Sequence, residues 1–135
     1  MINDIIILII LLFLSAFFSS SEIAYIVANK IKIELRARKG NIYAKNAYYF
    51  LKKPDSFFST ILISNNLTNI AFASIISFYL LTYFGLEEFE ILIISTALLL
   101  IFGELIPKYI GTELADLLIL ISATPLRILS LLIYP

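Results

Sequence analysis

The sequence predicts an all-α integral membrane protein, with three membrane-spanning helices and amphipathic juxtamembrane helices along the cytoplasmic face. Three observations carry that prediction. Hydrophobic residues make up 61% of the 135 positions, and the mean hydropathy of +0.98 lies well outside the range of soluble domains. The apolar residues are gathered into runs long enough to cross a bilayer, which takes about 20 residues at 1.5 Å each. The charges cancel overall but are segregated. Lys30, Lys32, Arg36, Arg38, Lys39, Lys45, Lys52 and Lys53 share one segment with a single acid, Glu34, so that eight bases against one acid give it a net +7.

The first span is expected over residues 2–28. A secretory signal peptide is the competing reading, but the amino-terminal region carries Asp4 instead of a basic residue, and the apolar run is too long. Residues 29–54 turn basic, with Ile31, Ile33, Leu35, Ala44, Ala47, Tyr48, Phe50 and Leu51 among the charges. They read as one or two amphipathic helices in the membrane interface, broken near Gly40 and Asn41, their bases toward anionic headgroups. Nucleic-acid binding is excluded because the segment is wedged between two spans.

The second span is expected over 57–84, after the helix-start pattern Pro54-Asp55-Ser56 and before Gly85. A short acidic connection containing Glu87, Glu88 and Glu90 leads to the third span, 91–107. The positive-inside rule makes the basic segment cytoplasmic and the amino terminus external. Residues 112–134 are apolar enough for a fourth span, yet contain Asp116, Thr124, Pro125 and Arg127. They are expected to lie in plane or re-enter at the cytoplasmic face, bent at Pro125, with a crossing as the alternative.

Each span carries polar residues in its cytoplasmic half. Counted inward at about 1.5 Å per residue, Ser19 and Ser21 lie about 12 to 15 Å deep, Asn65 and Asn69 about 12 to 18 Å, and Glu104 about 6 to 10 Å. Asn65 and Asn69 are four apart and share a helix face. Glu104 is the costliest residue, because an acid inside a membrane helix persists where it has a partner, a cation or a water path. Pro107 has no amide hydrogen, which frees carbonyls near Gly103. Both a pairing of Glu104 with Lys108 and a cation bound by these oxygens remain open, and serines and asparagines also serve as helix–helix glue. Glu22 can reach the interface, pair with a base such as Lys30, or cap a break in the first helix.

The chain contains no cysteine and no histidine, so any metal site must be built from oxygen, favouring magnesium, calcium, manganese or sodium. The same absence argues against an enzyme, since there is no histidine, and no lysine or aspartate at the serines' depth, to activate a nucleophile.

Phe17-Phe18-Ser19-Ser20-Ser21-Glu22-Ile23-Ala24, Ile63-Ser64-Asn65-Asn66-Leu67-Thr68-Asn69-Ile70 and Phe102-Gly103-Glu104-Leu105-Ile106-Pro107-Lys108 resemble, in order and spacing, the transmembrane domain of the CorC/CNNM (cyclin M) magnesium transporters. The resemblance covers essentially residues 1–135. It implies a homodimer in the plasma or inner membrane that exports Mg2+ in exchange for Na+. It also implies a dehydrated Mg2+ held by Ser19, Ser21, Asn65, Asn69, Gly103 and Glu104. Ser20 and Ser64 stand where the family has glycine. The family continues into cytoplasmic CBS domains that bind adenine nucleotides, and the sequence is expected to stop at that boundary, so ATP regulation would lie beyond it. The alternative is a dimerising membrane anchor or ion sensor without transport of its own.

Overall fold

A computed structural model describes residues 2–133; Tyr134, the expected end of the last helix, lies outside the described residues with Met1 and Pro135. The fold is entirely helical over the described residues: α1 (Ile2–Val27), α2 (Lys30–Arg38), α3 (Ile42–Lys52), α4 (Pro54–Phe84), α5 (Glu88–Leu98), a π-helical segment π1 (Leu99–Leu105), α6 (Ile106–Glu113) and α7 (Ala115–Ile133). The run α5–π1–α6 is one continuous helix, Glu88–Glu113.

The boundaries follow local chemistry. Asn29 and Asn41 cap α2 and α3, each side-chain oxygen accepting a bond from an orphan amide of the first turn. Gly40, at φ +93°, makes the expected break between these two helices. Pro54 opens α4, three residues earlier than expected, because the first helical position has no amide bond to lose. Gly85, at φ +61°, closes it in the left-handed conformation that glycine adopts without a Cβ penalty.

Two expectations are corrected. Pro107 does not end the third long helix, which runs on to Glu113. The π segment immediately before it explains why: the Ile106 amide reaches five residues back to the Ile101 carbonyl, and the widened turn accommodates the proline ring. Helix α1 is likewise unbroken through Ser19, Ser20, Ser21 and Glu22, so Glu22 caps nothing.

Four helices, Ile2–Val27, Pro54–Phe84, Glu88–Glu113 and Ala115–Ile133, are long and apolar enough to cross a membrane, one more than the three crossings expected. The fourth, α7, is continuous through Pro125. It packs on α1, α3 and α4. Arg127 Nη1 donates to Asn46 Oδ1 at 2.9 Å, Asn46 Nδ2 donates to Thr124 Oγ1 at 2.7 Å, and the Arg127 guanidinium lies 4.3 Å from the Tyr49 ring centre. At its start, the Asp116 carboxylate accepts the Asn29 amide at 2.9 Å, joining the beginnings of α2 and α7.

Two apolar clusters occupy opposite ends of the bundle. One gathers Phe18, Ala24, Tyr25, Phe50, Phe57, Ile61, Ile119 and Leu126 around the α2–α3 end, with the Tyr25 and Phe57 rings stacked at 4.1 Å. The other joins Leu8, Phe72, Ile76, Tyr79, Leu80 and Ile91.

Candidate functional site

Between these clusters lies a polar layer. Ser15 is fully buried and donates its hydroxyl to Asn69 Oδ1 at 2.9 Å, while Asn65 Oδ1 stands 3.4 Å from the same oxygen. A hydroxyl has one proton to give. Two amide oxygens and a serine oxygen therefore gather around a single hydrogen, an acceptor-rich cluster that a cation would complement. Ser15 lies at the midpoint of α1 and Asn69 at the midpoint of α4, so the cluster sits at mid-length of both helices.

The third helix reaches this cluster through Gly103. A methyl group added there would stand 2.8 Å from Ser15 Oγ, so the missing side chain is what lets the π segment close onto the serine. The π geometry has a second effect at this depth. Ile106 donates to Ile101 and Pro107 donates nothing, so the Phe102–Gly103 turn keeps at least one carbonyl without a main-chain donor. π segments recur at functional sites.

Glu104 is half-buried on the next residue. It makes no hydrogen bond or ion pair among the described residues, Lys108 included; the one ion pair found is the exposed Arg38–Glu34 bridge. No three acids come together among the described residues. Any cation held here would meet fewer than three carboxylates, so neutral oxygens must share in holding it.

The serines of the α1 motif separate. Ser19 is buried, and its hydroxyl oxygen has no hydrogen-bond partner. Ser21, two residues on and on another face, gives its proton to the Phe17 carbonyl at 2.6 Å. The structure thus brings Asn65, Asn69 and Gly103 together around Ser15, a residue the sequence reading passed over. The signal was present: Ser15 precedes Ser19 by four, the spacing that made Asn65 and Asn69 a pair. Ser20 and Ser64 sit in regular helix, and no non-glycine residue has positive φ among the described residues. Neither serine therefore needs a glycine conformation. Ser20 donates to the Phe17 carbonyl at 3.1 Å, and the buried Ser64 hydroxyl is unpaired.

Helix α6 is fixed against α1 by Gly111. A methyl there would stand 2.6 Å from the Ser20 carbonyl oxygen and closer still to Ile23 Cγ2, so the two main chains touch directly. Helix α4 packs on α1, α5 and α7, whereas α6 packs on α1 and α7 and makes no comparable contact with α4 among the described residues. The third helix and α4 therefore meet at the α5 end and not at α6, and Ser15, Ser19 and Glu22 share one face of α1, the first two fully buried and Glu22 half-buried.

An all-helical chain with four apolar helices of spanning length, and a polar layer buried between apolar ends, is a multi-pass membrane domain. It belongs to the cyclin M family, matching the Cyclin M transmembrane N-terminal domain over residues 6–135. Similar proteins include a UPF0053 protein of Haemophilus influenzae, 37% identical over 96% of this chain and 31% of its own length. The UPF0053 inner membrane protein YfjD of Escherichia coli K12 is 33% identical over 73% of this chain and 23% of its own. A polyamine export protein of the same organism is 39% identical over 49% of this chain and 15% of its own. The chain thus spans less than a third of the length of each of these relatives.

Proposed function

We infer that this chain is the membrane-spanning part of a cation exporter whose cargo is magnesium. The observation that carries this reading is the acceptor-rich cluster of Ser15, Asn65 and Asn69 against Gly103, whose neighbour in sequence, Glu104, has no protein partner among the described residues. Magnesium takes six oxygens at about 2.0 to 2.1 Å. The two asparagine oxygens, steered by Ser15, the Ser19 hydroxyl, a carbonyl of the Phe102–Gly103 turn and the Glu104 carboxylate supply that chemistry, with Ser21 able to join only by leaving Phe17.

In this reading α1, α4 and the helix Glu88–Glu113 cross the membrane, and α7 lies at the cytoplasmic face. Its bonds to α3, a basic helix, support that placement. The amino terminus is external and the protein acts in the cell membrane as a homodimer. It has no enzymatic activity. Sodium is the counter-ion, driving export by binding preferentially to the state that has released magnesium.

A second cargo is supported by the relative named a polyamine export protein: a carboxylate among amide oxygens also suits an ammonium group. Proteoliposomes carrying the chain, loaded with magnesium or with spermidine, separate the two. Magnesium release accelerated by an opposing sodium gradient supports the first reading, and release of spermidine alone supports the second. No release of either leaves the anchor reading.

A further inference from the structure

The cation site proposed above would need a route from the cytoplasmic side, and Glu22, an acid that no part of that site uses, lies on α1 between the Ser15 level and the α2–α3 end. Glu22 lies one turn beyond Ser19 on the same face of α1, toward the end that leads into the basic helices α2 and α3. Its side chain is half-buried and makes no hydrogen bond or ion pair among the described residues, so neither Lys30 nor a helix end satisfies it. It lines a cavity of about 210 Å³ with Phe58, Ile61, Leu62 and Asn65. That volume holds several waters at about 30 Å³ each. The amide oxygen of Asn65, on the opposite wall, is the one 3.4 Å from Ser15. The buried, unpartnered Ser19 hydroxyl lies between the levels of Ser15 and Glu22 on α1.

We propose that Glu22 and Asn65 form a vestibular cation position, at which a hydrated cation is received by the Glu22 carboxylate and passed by Asn65 to the Ser15 level. This rests on the transport reading for its purpose, but the position itself is an equilibrium property of the cavity. A carboxylate in a low-dielectric cleft raises the local cation concentration and is not obliged to strip the ion's water. The reluctance of magnesium to dehydrate makes such a staging position useful, because the shell can be exchanged for protein oxygens in steps. Asn65 then serves both levels, whereas Asn69 serves the inner one alone.

Two measurements test the proposal. In proteoliposomes, Glu22→Gln should raise the magnesium concentration for half-maximal flux from the α2–α3 side about tenfold, the lower end of what charge focusing provides. Maximal rate should be kept, Glu22→Asp should behave as wild type, and calorimetric magnesium affinity should stay within about twofold of wild type, since only a step before inner binding is lost. The second measurement does not depend on flux. Because the chain has no native cysteine, Leu62→Cys places a single thiol in the cavity wall. Cobalt hexammine, a hydrated-magnesium analogue that cannot shed its shell, should slow its modification by a water-soluble thiol reagent, and should not do so when Glu22→Gln is also present.

An unchanged half-maximal concentration, an affinity loss as deep as that of Asn69→Ala, or protection that persists without the carboxylate would each overturn the vestibule. A wild-type chain that binds cobalt hexammine at Glu22 but carries no magnesium would overturn the transport reading while leaving the position standing.

Discussion

The hydroxyl of Ser15, at the centre of α1, bonds to the side-chain oxygen of Asn69, at the centre of α4, at 2.9 Å. Each polar group is the other's neighbour at mid-length of its helix, and together with Gly103 they define where the three long helices meet.

Removing a ligand and removing its positioner should differ in degree. Asn69→Ala and Glu104→Gln are expected to abolish measurable magnesium binding by calorimetry. Ser15→Ala, which leaves the amides in place but unsteered, should weaken it about 10- to 100-fold, as the loss of an orienting partner does at metal sites. Unchanged affinity in both Asn69→Ala and Glu104→Gln would remove this site.

Gly103→Ala should act through Ser15. The added methyl, 2.8 Å from Ser15 Oγ, drives that hydroxyl off Asn69. Magnesium affinity should therefore fall in the wild-type background and fall no further when Ser15→Ala is already present. Such non-additivity is expected only of groups in direct contact; additive losses in a double-mutant cycle would contradict the arrangement.

Gly111→Ala should affect stability instead. The methyl meets the Ser20 carbonyl, a main-chain atom that no rotamer change can move aside. A loss of about 1 to 3 kcal/mol, the usual range for overpacking, should appear as a lowered unfolding midpoint in detergent.

Arg127→Ala should release α7. It removes the bond to Asn46 and the stacking on Tyr49. Together these are worth about 1 to 3 kcal/mol in a partly buried setting. Hydrogen exchange should quicken in α7 and α3 with little change in α5; uniform exchange would show that the latch carries no weight.

The composition and charge segregation were enough to expect helices in a membrane, and Gly40, Pro54 and Gly85 marked their ends, because caps and breakers act locally. Asn65 and Asn69 were legible as a pair for the same reason. Ser15 was not, because it sits alone in an apolar run while the conspicuous Ser19-Ser20-Ser21 triplet drew attention to adjacency instead of period. Two of those three serines bond to their own helix. The continuation past Pro107 was hidden as well: breaking is proline's local tendency, and the widened turn that absorbs it is a property of the packed third helix. Hydropathy did not decide the disposition of α7, since an apolar helix resting on other helices and one facing lipid have the same composition.

The seams around the polar layer differ in stiffness. Where Gly111 rests on Ser20, backbone lies against backbone, and α1 and α6 are held together without an intervening side chain. No such weld joins α4 to α6, whereas α5 holds α4 at the opposite end. A tilt of α4 about its α5 end, against its packing on α1 and α7, would carry Asn65 and Asn69 away from Ser15 and Gly103 without breaking a helix.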